Sequence, residues 1–121
     1  MKRIVVTEEH TGWSDYDEMI SHKWFDVDKA ERFDEDSRWN GNNHISCATG
    51  SQWEHEALFR TVTGRYILNH WSNYQGSLET YHEITVERAA DWLVANGFDL
   101  VDENPDKDKE LATAYAALEI K

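Results

Sequence analysis

The sequence predicts an α+β domain: a small, mainly antiparallel sheet, made of a hairpin and a third strand, with helices packed on one face. Three observations predict it. Stretches of two-residue apolar alternation run between Gln52 and Ile84, separated by glycine-containing turns. A segment of helical spacing follows from Val86 to Leu93, bounded by Thr85 and by Asn96-Gly97. The 121 residues fit one domain, 1–121, around one core.

Composition supports a folded chain. Six Trp, five Tyr and four Phe provide large apolar surfaces that disordered chains lack. No apolar run approaches the roughly 20 residues of a membrane helix. The start, MKRIVVTEEH, has no long apolar segment and no cleavage site, so neither a signal peptide nor a membrane partner is expected. The lone Cys47 excludes an internal disulfide and fits a reducing compartment, so a cytoplasmic location is expected.

In chain order, Lys2 to Thr7 is a β-branched run and is expected to be a strand. Ser14 can cap a helix with Asp15, Asp17 and Glu18 in its first turn; Tyr16, Met19, Ile20 and Trp24 then share one face. Asp26 can cap a second helix with Val27, Ala30 and Phe33 inward, or the two form one bent helix. Asp34, Glu35 and Asp36 close this part with three consecutive carboxylates. Residues 37–51, SRWNGNNHISCATGS, read as a loop with a turn at Asn40-Gly41.

Gln52 to Thr61 reads as a strand with Trp53, His55, Ala57 and Phe59 on one face and Glu54, Glu56, Leu58 and Arg60 on the other. Val62-Thr63-Gly64 makes a hairpin loop. The return strand, Arg65 to Ser72, sets Tyr66, Leu68 and His70 against Ile67, Asn69 and Trp71. After a turn at Gly76, Leu78 to Ile84 is the third strand. Thr85 caps a helix whose Val86, Ala89, Ala90 and Leu93 form the buried stripe, and Gly97 ends it. Asn104-Pro105 reads as the start of a last helix carrying Leu111, Ala114, Tyr115 and Leu118.

From Leu58 to Gly97 the chain reads LFRTVTGRYILNHWSNYQGSLETYHEITVERAADWLVANG. This resembles a pattern in many small uncharacterised prokaryotic proteins, several of them encoded in phages, plasmids or similar mobile DNA. There a strand of the form L-F/Y-R-T, a Gly turn, an aromatic strand and a polar strand lead to a helix of the form E-x-A-x-x-W-L. The resemblance implies a hairpin-plus-helix fold and a mobile-element setting. It carries no catalytic residues.

No nucleotide-binding, nucleophile-elbow or metalloprotease motif occurs in the chain. Cys47 lies three residues from His44, a spacing that need not bring a nucleophile and base together. His44, His55, His70 and His82 stand singly; the more ordinary reading packs them beside tryptophans, while a converging register would give a metal-dependent hydrolase. No cofactor, no metal and no enzymatic activity is expected.

Charge is the one extreme quantity. Twenty-four acidic residues against twelve basic give −12, which opposes binding to nucleic acid over a broad surface and favours a basic partner. The plainer reading is a coat that maintains solubility. The expectation is an acidic, non-catalytic protein-binding domain. Its sharper form is an inhibitor or nucleic-acid mimic, of the anti-CRISPR or anti-restriction kind, acting on the basic surface of a nucleic-acid-binding defence protein. Asp15, Asp17, Asp34, Glu35 and Asp36 are the expected charged contacts, and Trp39, Trp53, Trp71 and Tyr74 the expected aromatic anchors. The rival readings are the metal-dependent hydrolase and a homodimeric scaffold joined through the alanine-rich last helix.

Overall fold

A computed structural model describes residues 2–6, 23–73, 79–98 and 108–120. The order is β1 (Arg3–Val6), β2 (Lys23–Asp26), β3 (Glu31–Asp34), β4 (Ser37–Trp39), β5 (His44–Ser46), β6 (Glu54–Arg60), β7 (Tyr66–Ser72), β8 (Thr80–Ile84), α1 (Val86–Ala95) and α2 (Lys109–Ala117). The fold is α+β, and every described strand pair is antiparallel.

The central sheet has four strands in the order β3-β6-β7-β8. Its frame is the β6–β7 hairpin, with Leu58 opposite Leu68 and Arg60 opposite Tyr66. The loop closes through Gly64, whose φ of 84° suits a residue without a Cβ. Alternation then sorts the side chains as their period predicts. Leu58, Tyr66 and Leu68 form one buried cluster with Phe33, with Ala89, Ala90, Trp92 and Leu93 of α1, and with Leu111 of α2. Ala57, Phe59 and Ile67 form a second cluster with Val6 of β1 and Phe25 of β2. The sheet is thus buried on both faces, and its seven-residue central strands are held by packing as well as by their ladders.

Helix α1 follows its sequence signals. The Thr85 side chain accepts from the Arg88 N–H, Glu87 sits in the first turn, and the chain leaves through Gly97 at φ 78°. Phe98 folds back, donating its N–H to Leu93 O and placing its ring on Trp92 and Phe33. Helix α2 is capped by Asp108, which accepts from the Leu111 N–H. The expected cap at Asn104-Pro105 lies outside the described residues.

The front of the chain departs from expectation. The helix expected from Ser14 lies outside the described residues up to residue 22, but its last member does not. Trp24 belongs to strand β2, paired with Val5, and is half exposed, where a place on a helical face was expected. Pairing with the β-branched β1 and burial of Phe25 against Phe59 decide this. The helix expected after Asp26 is a turn at 27–29 followed by strand β3. Asp26 does cap, but it caps the turn, with Oδ1 accepting from the N–H groups of Lys2 and Asp28. Val27 and Ala30 pack with the second cluster while Phe33 packs with the first, a division no single helical stripe would give. The 37–51 loop, in turn, contains a small hairpin, β4–β5, closed at Asn40-Gly41, where Asn40 Oδ1 accepts from Asn42 and Asn43.

Candidate interaction site

The β4–β5 excursion is pinned to the sheet by polar groups that replace a missing strand. Strand β3 pairs with β6 only as far as Asp34 opposite Ala57. Beyond that point the outward backbone groups of β6 need other partners. The Glu56 N–H donates to Glu35 Oε1, and the Glu54 carbonyl accepts from Thr49 Oγ1 at 2.7 Å. Within the excursion, Cys47 N–H donates to Asp36 O at 2.8 Å and Ser46 N–H to Ser51 O at 3.0 Å. The Ser46 hydroxyl accepts from the Ala48 and Thr49 N–H groups. Buried Asn96, at the end of α1, accepts from the Asp36 N–H at 2.9 Å and donates to Trp92 O.

The three consecutive carboxylates therefore point three ways, as neighbours on extended chain do. Asp34 lies outward and takes the Arg32 guanidinium at 2.7 Å. Glu35 turns inward, only 15 % exposed, with one oxygen on the Glu56 N–H and the other 3.0 Å from His55 Nδ1. Asp36 is exposed and accepts from the Ser37 N–H.

Trp71 lies opposite His55 across the β6–β7 ladder and stacks on it at 5.7 Å. The Arg32 guanidinium lies 5.4 Å from the Phe59 centroid and 6.0 Å from that of Trp71. Asn73 Nδ2 reaches His55 Nε2 at 3.0 Å. Asp34, Glu35 and Trp71 are thus brought together, joined by Arg32, His55 and Asn73, which sequence reasoning had not placed there. The only sequence signal for them was alternation, which puts His55 and Trp71 on matching faces.

Trp39, at the end of β4, is 60 % exposed and Trp53, just before β6, is 45 % exposed. Trp39 makes an edge contact with His44, its partner across the small hairpin. Asp15, Asp17 and Tyr74 lie outside the described residues. So do the other acidic residues of 7–22 and 99–107.

The histidines divide. His55 lies on the face of the second cluster. His70 stands opposite both Glu56 and Thr80, and His82 stands opposite Leu68, so His70 and His82 are diagonal neighbours on the other face. His44 is on the separate hairpin. Among the described residues no group of three or more His, Cys, Asp or Glu is arranged to hold a metal ion. Cys47 is partly buried in the excursion, its backbone tied to Asp36.

Two carboxyl groups of the sheet have shifted titration. Burial pushes the Glu56 carboxyl up, against the Trp92 Nε1–H that donates to it at 3.2 Å and the charges of His70 and Arg88. The Glu83 carboxyl is held down by the Arg65 guanidinium that donates to it, with Lys23 adding to the effect. Among the described residues no helix is long and apolar enough to cross a membrane.

The site these parts define belongs to an α+β domain that presents exposed indoles on a small, side-chain-braced hairpin. Comparison with protein-family models, curated proteins and solved structures finds no match for this chain.

Proposed function

We propose that this chain is a non-catalytic protein-binding domain that docks through its β4–β5 excursion, with Trp39 and Trp53 as anchors. The observation that carries the reading is the 60 % exposure of Trp39 on a backbone held by Glu35, Thr49, Ser46 and Asn96. A large amphipathic ring on an ordered backbone gives contact area without a further cost of ordering the loop. Asp34, Asp36 and Glu54 supply exposed carboxylates nearby in the chain, and the net charge of −12 favours a basic partner. In the sharper form the partner is a nucleic-acid-binding defence protein, and the carboxylates stand where phosphates sit. The inward turn of Glu35 assigns it to bracing, so the indoles anchor this interface and the acids steer it.

Binding to a panel of purified restriction and RNA-guided nucleases, measured by interferometry in low and high salt, tests the reading. A basic protein that does not bind nucleic acid serves as control. Trp39→Ala should weaken a genuine complex about tenfold or more, as loss of a buried anchor does. It should leave the melting temperature unchanged within error. Binding that ignores both Trp39 and salt would overturn the proposal, and so would equal binding to the control.

A further inference from the structure

A pocket of about 280 Å³ opens between β7–β8 and the start of α1. Leu68 and Ile84 provide apolar wall; Glu56, His70, Thr80, His82 and Arg88 provide the polar groups. Register explains the convergence. Glu56, His70 and Thr80 lie in one row across β6, β7 and β8, His82 is one step along, and Arg88 is on the first turn of the helix that follows β8.

The chemistry of this lining is lopsided toward donors. Arg88 and Thr80 donate, and each imidazole donates from at least one ring nitrogen. Of the two carboxylates that border them, Glu56 already accepts from Trp92 Nε1. Among the described residues, the side chains of His70, Thr80 and Arg88 make no hydrogen bond, although His70 and Arg88 attract the Glu56 carboxylate. Glu83 also borders the pocket, but its carboxylate is committed to Arg65 and Lys23.

We propose that this pocket binds the oxyanion group of a small molecule, a carboxylate or a phosphate, held by Arg88 with His70 and Thr80. The guanidinium presents a fork suited to either group. The volume suits a ligand of modest size. The acidic surface opposes an anion at long range, but beyond the Debye length, about 8 Å at physiological salt, that opposition is screened. Inside the pocket, the donors of Arg88, His70 and Thr80 decide.

The charged and titratable groups facing the site are Glu56 from β6, His70 from β7, His82 and Glu83 from β8, Arg88 from α1, and Glu35 from the β3–β4 link behind Glu56. Burial already favours the proton on Glu56. Acidification therefore weakens the opposition from Glu56, while Glu83 stays charged beside Arg65, so binding strengthens as pH falls.

The test is a titration of the full chain, followed by amide NMR, with sodium phosphate and separately with sodium acetate, at constant ionic strength, at pH 6 and pH 8. Saturable shifts at Thr80 to Ile84 and at Arg88 are expected, with binding tighter at the lower pH. The arm that saturates first identifies which oxyanion is preferred. Arg88→Gln, a surface change, should weaken binding about tenfold. Glu56→Gln should strengthen it at pH 8 while retaining an acceptor for Trp92. Shifts that fail to saturate, or that persist unchanged in Arg88→Gln, would overturn the proposal. So would a Zn²⁺ titration that moves His70 and His82 stoichiometrically, because the pocket would then be a metal site.

Discussion

Replacing Glu35 by alanine separates bracing from docking. In the folded chain one carboxylate oxygen receives the Glu56 N–H and the other lies against His55 Nδ1, with the side chain 15 % exposed. Alanine leaves a backbone donor at the point where β3 has ended and β6 has no strand to pair with. An unsatisfied, partly buried donor costs about 1–3 kcal/mol, and hydrogen bonds to a charged acceptor contribute about 1.5–3 kcal/mol. Water can reach part of the vacated site, so the two figures overlap and a loss of about 2–3 kcal/mol is expected. For a chain of 121 residues, each kcal/mol moves the melting temperature by about 4 °C, so a drop of about 8–12 °C follows. Glu35→Gln keeps an acceptor for the Glu56 N–H and gives up only the charge, at a cost of about 1 kcal/mol. Urea denaturation followed by tryptophan fluorescence measures both. An alanine variant within about 0.5 kcal/mol of the parent, the range of an ordinary surface substitution, would refute the bracing role.

The remaining predictions concern the core, α2 and pH. Leu93 is fully buried between the sheet and the helices, so Leu93→Ala should cost about 2–5 kcal/mol by urea denaturation; a loss under about 1 kcal/mol would remove it from the core. The Tyr66 hydroxyl donates to Asp108 Oδ2 while Asp108 Oδ1 caps α2, so Tyr66→Phe should cost about 1 kcal/mol. The same change should speed amide exchange at residues 111–114, and unchanged exchange there would show that the cap stands without Tyr66. Because burial raises the Glu56 pKa, the folded state binds that proton more tightly than the unfolded state does. Its contribution is present in full below the unfolded carboxyl pKa and is lost as pH rises through the folded value. Glu56→Gln should therefore stabilise the protein at pH 7 relative to the parent, with the difference shrinking as pH falls toward 4. A difference that stays constant over that range would contradict the assignment.

Much of the centre was legible in the chain because its signals are local and mutually consistent. Leu58, Tyr66 and Leu68 against Ala57, Phe59 and Ile67 fall on the faces that a two-residue period assigns. Thr85 and Gly97 bound α1 because a cap and a left-handed residue are properties of a few bonds. Trp24 was misread because Tyr16, Met19, Ile20 and Trp24 satisfy a helical spacing, while the four residues Lys23–Asp26 also suit a strand. A window that short holds too little information to choose, and the partner strand β1 chose.

What the amino-acid order determined by itself was the α+β class, the β6–β7 hairpin, the third strand and the capped helix, each set by interactions reaching only a few residues along the chain. The tertiary structure alone decided where Glu35 points, because the Glu56 N–H that it receives lies twenty-one residues away, whereas Asp34 and Asp36 meet Arg32 and the Ser37 N–H close by in the chain. It alone set the register that makes His70 and His82 diagonal neighbours beside Arg88. Side-chain direction at such sites follows from which backbone groups a fold leaves unpaired, and that is a property of the assembled sheet.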